Sequence, residues 1–511
     1  MEDSNKRSRA EQGRSRPRGD SFTQTDSRIR GHGPRLSKVN LFTLLSLWME
    51  LFPQEQPEED DSQQVRGVGL VVVRDGKVVG LHCSGAELHA GQAAIIQHGA
   101  RLASCQLYFS RRPCASCLKM IINAGVSQIS FWPGDPEISL LKSASVNPSN
   151  PHPNSPSNVS EEAELDAMTV EKLKSNSRSH ICVLLQQLEP DLVQFIDETS
   201  RESDFIERMA DDDPKLKTHT LFNRERRRHL GDFTTHFLVS TSQQHKDILI
   251  QMGLDNFCAE PYFSNLRQNM RELVEVLAAV AAGLPQQLYG FYREQLATSL
   301  CHQEEVSQEV AHHCIIQARL LAYRTEDPKL GVGAVIWAKG QSVGCSGTGG
   351  LHLVGCGFNA YPAGSTYGEY PQMDTKQKDR KRRKYGYIIH AEQNALTFRM
   401  RDIRAEEPTM LFVTKCPCDE CVPLIRGAGI THIYTSDQDR DKDKEDISYL
   451  RFSSLKDISR FTWRRSQSVS SAPSPHLANG YVGEHSSWTE QESSKGKKLC
   501  TRRSRDSPGV S

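Results

Sequence analysis

The sequence predicts an α/β protein built from two copies of one layered unit. Three observations carry that expectation. A short phrase occurs twice, as "HAGQAAIIQ" at 89–97 and "HAEQNALTF" at 390–398. A P-C-x-x-C follows each phrase, at 113–117 and 417–421, with His-to-Cys spacings of 25 and 28 residues. Around both, the stretches follow one order: helix, hairpin, H-A-x-Q-x-A, strand, P-C-x-x-C, helix, strand. Shared hexapeptides can arise by chance, but the shared order of elements marks an internal duplication.

Each element has a local reason. Residues 1–35 are rich in Arg, Ser, Gly and Asp and read as a disordered arm. "LSKVNLFTLLSLWMELF" (36–52) spaces its apolar residues as a helix does and opens the first copy, which runs to about 140. "VGLVVVRDGKVVGLHCSG" reads as two strands around Asp75-Gly76, a strong hairpin signal. "QLYFSRRPCASCLKMIINAGVSQISFW" reads as strand, cysteine turn, helix, strand. The Ser-, Asn-, Pro- and Glu-rich stretch 141–180 is expected to be a linker or mobile insertion. Residues 181–300 are expected to form a mainly helical connecting segment. The second copy occupies 301–462, and a Ser-rich, then basic, disordered tail fills 463–511.

Composition sets outer bounds. The 511 residues suffice for about two to four domains. Lysine plus arginine equals aspartate plus glutamate, so no net charge pushes the chain toward nucleic acid or an anionic membrane. No apolar run of about 18 residues predicts a spanning helix. The polar N-terminus does not read as a secretory signal, so the 14 cysteines are expected to be reduced. In that setting C-x-x-C points to metal or redox chemistry before it points to a disulfide.

His390, Cys418 and Cys421 have the chemistry of a zinc ligand set. Two thiolates neutralise the dication, an imidazole makes three protein ligands, and a fourth position stays open for water. Pro417 suits the first turn of a helix, which puts Cys418 and Cys421 on one face near the N-terminal end of its dipole. Such a metal lowers the pKa of water toward about 7. Glu392 follows His390 by two positions and is placed to move protons without binding metal. H-x-E followed by P-C-x-x-C is the pattern of zinc nucleobase deaminases. In the first copy His89, Cys114 and Cys117 keep the ligands, but Gly91 stands where the carboxylate would be. That copy is expected to hold a second, structural zinc and to be silent. Glu87 lies on the wrong side of His89 to replace the missing group.

With "DPKLGVGAVI", "GFNAYPAG", "HAEQNAL" and "CPCDEC" standing in order, the chain resembles the cytidine/deoxycytidylate deaminase superfamily. The resemblance covers about 68–135 and 304–436. It implies two three-layer α/β/α domains in which two helices carry the ligands. It also implies a zinc cofactor, water-driven conversion of cytosine to uracil, and assembly of copies into an oligomer. By the same resemblance Asn359 contacts the sugar or base of the substrate, and Ala391 lies against the base edge.

Plainer readings stand beside these. The second ligand set has a structural alternative in which Cys416 is the fourth ligand. Cys345 and Cys356 read as inert buried thiols. Asn359 has an alternative as a turn residue. The run "KQKDRKRRK" (376–384) is either a solvated loop or a phosphate contact, with Lys381, Arg382, Arg383 and Lys384 as candidates. "KGKKLCTRRSR" (495–505) resembles a nuclear import signal, and Ser466 and Ser468 are candidate phosphosites. Leucine-rich 41–51 and 273–284 are either export signals or core helices. Together these give expected cytoplasmic and nuclear addresses, with import and export receptors as partners. The functional expectation is deamination of a free cytosine nucleoside or nucleotide: cytidine, deoxycytidine, dCMP or dCTP. A polynucleotide editor and a non-catalytic zinc scaffold are the alternatives. The 7% aromatic content and zero net charge favour neither stacking platforms nor a basic groove.

Overall fold

The computed structural model describes residues 34–54, 67–138, 156–183, 185–203, 206, 218–286, 289–294, 306–326, 331–340, 347–362, 386–435 and 448–465. The 1–33 arm, Cys345, Lys381, Arg382, Arg383, Lys384, Ser466, Ser468 and the basic tail lie outside them. Among the described residues no helix is long and apolar enough to cross a membrane.

The first copy runs α1 (Lys38–Glu50), β1 (Gly69–Arg74), β2 (Lys77–Cys83), α2 (Ala90–His98), β3 (Gln106–Phe109), α3 (Ala115–Asn123), β4 (Gln128–Phe131), α4 (Pro156–Asn176) and β5 (His180–Cys182). Ser37 caps α1, its hydroxyl accepting from the Asn40 N–H at 3.2 Å, a contribution of about 1 kcal/mol. Asp75 and Gly76 both have positive φ, 49° and 69°, which the tight hairpin turn between β1 and β2 requires. The sheet order is β2-β1-β3-β4-β5, antiparallel at the hairpin and parallel from β3 onward.

Among the described residues the α-helices α5 (Leu192–Arg201), α6 (Thr218–Phe237), α7 (Ser242–Gln251) and α8 (Tyr262–Ala282) follow. Then come β6 (Tyr289–Arg293) and the second copy: α9 (Gln308–Ala322), β7 (Gly333–Lys339), β8 (Leu351–Phe358), α10 (Ala391–Thr397), β9 (Thr409–Val413), α11 (Cys421–Gly427), β10 (His432–Thr435), α12 (Leu450–Ser453) and β11 (Ser459–Arg465). Its sheet, read from the other edge, is β8-β7-β9-β10-β11-β6. The first five strands repeat the order of the first copy, so the duplication extends to topology.

Two segments hold more regular structure than expected. Residues 141–180 are not only a linker, because α4 fills 156–176. The reason is topological: β4 and β5 are parallel, and parallel neighbours need a crossover connection, usually a helix. The segment 181–300 is helical in its middle, but strands stand at both ends. His180–Cys182 completes the first sheet, and Tyr289–Arg293 pairs antiparallel with β11 at the edge of the second.

Alternation along β7 separates two cores. Val335 and Trp337 join the large core that also holds α1, α9 and the first sheet. Ala334, Ile336 and Ala338 face a smaller core with Ala391, Ala395, Cys418 and Cys421. Period-two side chains thus put α9 on one face and the ligand-bearing helices on the other. Glycines let those helices lie close. A Cβ on Gly357 would stand 2.6 Å from the Ala391 carbonyl oxygen, and one on Gly333 would run into the Ala318 carbonyl. Gly69 meets the Ser46 carbonyl of α1 in the same way.

The first helices of the two copies pack on each other. The Trp48 indole N–H donates to the His313 carbonyl at 2.9 Å, and the two rings stack with centroids 4.7 Å apart. Leu41, Leu44, Leu45 and Leu47 are all buried, each burial contributing roughly 1.5–3 kcal/mol. Leu273 and Leu277 of α8 are buried too. Both leucine-rich stretches are therefore core helices in this fold.

A buried ion network ties α6 to the first copy. Glu50, at the end of α1, accepts from Arg111 Nη2 at 2.8 Å and from His236 Nε2 at 2.8 Å. Burial pushes the Glu50 carboxyl up, but the Arg111 charge and the bonds from His236 and Arg111 outweigh it and hold the pKa below its ordinary value. A lowered folded pKa means stability that is present above the unfolded carboxylate pKa and lost as pH falls through the folded one. Glu50→Gln is expected to cost about 3–5 kcal/mol at pH 7, since it leaves Arg111 buried without its anion. That difference from the unsubstituted chain should shrink below about pH 4, which denaturant unfolding across pH measures. A pH-independent difference would contradict the ionic account.

Candidate metal centres

In the second copy the backbone places each candidate ligand at the start of a helical turn. His390 is the N-cap of α10, with φ −73° and ψ 158°. Gln393 Oε1 accepts from the His390 N–H at 2.8 Å, while Gln393 Nε2 donates to Glu420 at 3.0 Å. Gln393 thereby locks the histidine turn to the cysteine turn. Cys418 lies just before the regular part of α11, its carbonyl accepting from the Cys421 N–H and the Val422 N–H at 3.0 and 3.1 Å. Asp419 is tied to Ser448 and to the Arg451 N–H, which fixes the turn between the two cysteines.

The donor atoms converge. His390 Nδ1 lies 3.2 Å from Cys421 Sγ and 3.3 Å from Cys418 Sγ. Tetrahedral zinc with ordinary Zn–N and Zn–S bonds requires an N···S edge of about 3.5 Å, so the set fits the ion. Among the described residues no fourth protein donor joins this group, and Cys416 is not part of it. The Cys418 thiol is held down to about 4 by the hydrogen bond from Cys421, with burial opposing and His390 assisting. The Cys421 thiol is pushed up by donating that bond.

Glu392 is buried, with 4% of its surface exposed. Burial pushes its carboxyl up to about 7, while its contacts with His390 and with the Cys421 thiol act downward. The carboxyl therefore faces the donor set, poised near neutrality, as a group that takes and gives protons must be.

Asn359 is buried at the end of β8. Its Oδ1 accepts from Thr325 Oγ1 at 2.6 Å and from the Val332 N–H at 2.8 Å. The next residue, Ala360, bridges to Ile389, directly before His390. The bonds of Asn359 thus give its oxygen a turn-locking role, one residue before the bridge to the segment that leads into His390. Ala391 is fully buried on β8. Cys356 pairs across from Val335, on the sheet face away from the ligand helices.

The first copy builds the same cradle. His89 is the N-cap of α2, and Gln92 Oε1 accepts from its N–H at 2.9 Å. Cys114 is the N-cap of α3, with Cys117 in its first turn. Cys114 Sγ lies 3.4 Å from His89 Nδ1. A Cβ on Gly91 would lie 3.1 Å from Cys117 Sγ, so position 91 faces the thiol as Glu392 does. A further residue joins this set: Glu137 Oε1 lies 3.2 Å from His89 Nδ1. Sequence reasoning missed it because "GDPE" has no matching phrase in the other copy. The repeated glutamine of H-A-x-Q was a visible signal for the capping role of Gln92 and Gln393.

Comparison with known proteins follows the same two segments. The family profile described as "Cytidine and deoxycytidylate deaminase zinc-binding region" matches residues 45–132 and 307–436. A zebrafish (Danio rerio) protein, "Cytidine and dCMP deaminase domain-containing protein 1", is 56% identical over 441 residues, covering 86% of this chain and 92% of that protein. Human "Deoxycytidylate deaminase" is 30% identical over 30% of this chain and 79% of its own length. Among solved structures, dCMP deaminase from the cyanophage S-TIM5, in complex with dCMP and dUMP, is 20% identical over 31% of this chain and 99% of that one, with a TM-score of 0.23.

Proposed function

Because the chain belongs to the cytidine and dCMP deaminase family, we propose that its second copy hydrolyses the amino group of cytosine on a free nucleoside or nucleotide. The observation that carries this is Glu392: a buried carboxyl facing His390, Cys418 and Cys421. Zinc in that donor set supplies Lewis acidity that lowers the pKa of a water molecule toward about 7. Glu392 accepts the proton of the attacking water, and the water oxygen bonds to C4 of the ring. Glu392 then protonates N3, and a second proton passes through it to the exocyclic amine. The C4–N bond breaks and ammonia leaves, so cytosine plus water gives uracil plus ammonia. Burial raises the pKa of this carboxyl and a cation beside it would lower it, and a value near the working pH lets one group accept and release a proton in two successive transfers.

Asn359 and Ala391 are the proposed contacts to sugar and base, and the 381–384 run is the proposed contact to phosphate. The cytosine-nucleotide class is supported by the name of the human relative, dCMP being one member of it. The test is a panel of cytidine, deoxycytidine, dCMP, dCTP and single-stranded oligonucleotides incubated with the purified chain, following ammonia and uracil. Turnover of one or more free compounds is expected. Turnover of oligonucleotides alone would replace this reading with polynucleotide editing. None at all, with zinc bound, would leave a scaffold.

A further inference from the structure

The first copy holds a cluster that its resemblance to the second does not account for. We infer that Glu137 is the fourth protein ligand of a closed zinc site made with His89, Cys114 and Cys117.

Glu137 reaches the cluster from the start of a helical stretch just beyond the bends that follow β4, outside the matched family segment that ends at 132. All four residues have a donor atom within 4.8 Å of the others. The N···O separation of 3.2 Å and the S···N separation of 3.4 Å lie close to the tetrahedral edges of about 3.4 and 3.5 Å that ordinary zinc bonds require. The second carboxylate oxygen is already held, accepting from the Cys114 N–H at 2.8 Å. One oxygen is thus aimed at the cluster by a backbone bond to a ligand residue, as outer contacts orient metal ligands.

An ion pair with His89 alone explains less. The Glu137 side chain is 4% exposed, and it shares a buried site with two thiols. Gathering a carboxylate and thiolates out of water is unfavourable unless a cation compensates. A dication compensates both thiolates, and His89 and the Cys114 N–H hold the Glu137 carboxylate; Arg112 lies close to Cys114. That guanidinium is buried and pairs with Asp166 of α4 at 3.1 Å. Asp166 also accepts from the Ala115 N–H at 2.8 Å, so α4 is fastened over the start of α3. On the same side the Trp132 indole N–H donates to the Phe237 carbonyl at 2.9 Å, and His245 bonds the Pro133 carbonyl at 2.7 Å. The middle helices therefore cover the carboxyl ends of β3 and β4, where ligands enter open α/β sheets. With four protein ligands no position is left for water. The first copy is closed to chemistry by Glu137 as well as by the absence of a carboxyl at Gly91.

The test needs no turnover. In the full chain carrying Cys418→Ser, which lacks a thiolate of the second centre, the remaining zinc reports on the first. One zinc per chain is expected, released slowly to a chromogenic chelator. Adding Glu137→Gln should speed that release by at least ~10-fold. An absence of zinc in the Cys418→Ser chain would overturn the inference, and so would a release rate indifferent to Glu137→Gln. If either variant fails to fold, cobalt decides in the unsubstituted chain. Two cobalt ions are expected, one whose visible spectrum shifts on adding azide and one whose spectrum does not. Two azide-responsive ions, or a single ion, would overturn a closed first site.

Discussion

Glu392→Gln is expected to lower the deamination rate by about 10²–10⁴-fold, the range that a positioned general acid–base contributes, while zinc content stays unchanged. Glutamine keeps the size of the side chain and a hydrogen-bonding head but cannot carry a proton between water, N3 and the leaving amine. The residue lies outside the candidate donor group of His390, Cys418 and Cys421. It sits in the first turn of α10 and is buried, so a neutral amide also removes the tension of a buried carboxyl. Stability is therefore expected to hold or rise slightly. Steady-state rates, metal analysis and a thermal melt on one preparation separate these effects. A rate within ~3-fold of the parent, well below the loss expected of a lost acid–base group, would remove Glu392 from the chemistry. A loss of zinc would make it a ligand instead.

Cys421→Ser is expected to remove both activity and one zinc per chain. A serine hydroxyl is not ionised at neutral pH, and its oxygen is a poorer partner for zinc than a thiolate. Cys421 is fully buried in the core that also packs Ala391, Ala395 and Ile425. The substitution thus leaves a buried hydroxyl without the metal partner that the thiolate has. A metal that binds only the folded chain stabilises it by mass action, so the thermal midpoint should fall. Chelator treatment of the unsubstituted protein should move it in the same direction. If Cys421→Ser keeps its zinc and its rate, the second centre is not the one described.

The glycines show where sequence and structure divide the work. "GVGLVVV" and "GVGAVIW" repeat a glycine pair at the start of β1 and β7. Gly69 and Gly333 are needed because a helix backbone lies against each strand at that point. The repetition is visible in the sequence but its meaning is not, because close approach is a property of two segments. Gly355 and Gly357 act likewise for α10. They let the backbone of α10, which His390 caps, lie down onto β8.

The amino-acid sequence by itself determined the duplication, the two ligand triplets and the presence of Glu392 in only one of them. These are local patterns, set by helix caps, by spacing within one turn and by the hairpin at Asp75-Gly76, so a short window of chain carries them. Only the tertiary structure decided that 156–176 is a crossover helix, that 180–182 and 289–293 are sheet strands, and that Glu137 stands against His89. Each of those depends on partners dozens of residues away. Glu137 comes to lie against His89 only once β4 has paired with β3 and carried the following residues to the start of α3. A parallel pairing leaves no periodic signature in the turn beyond it, and the physical constraint exists only after the sheet has formed.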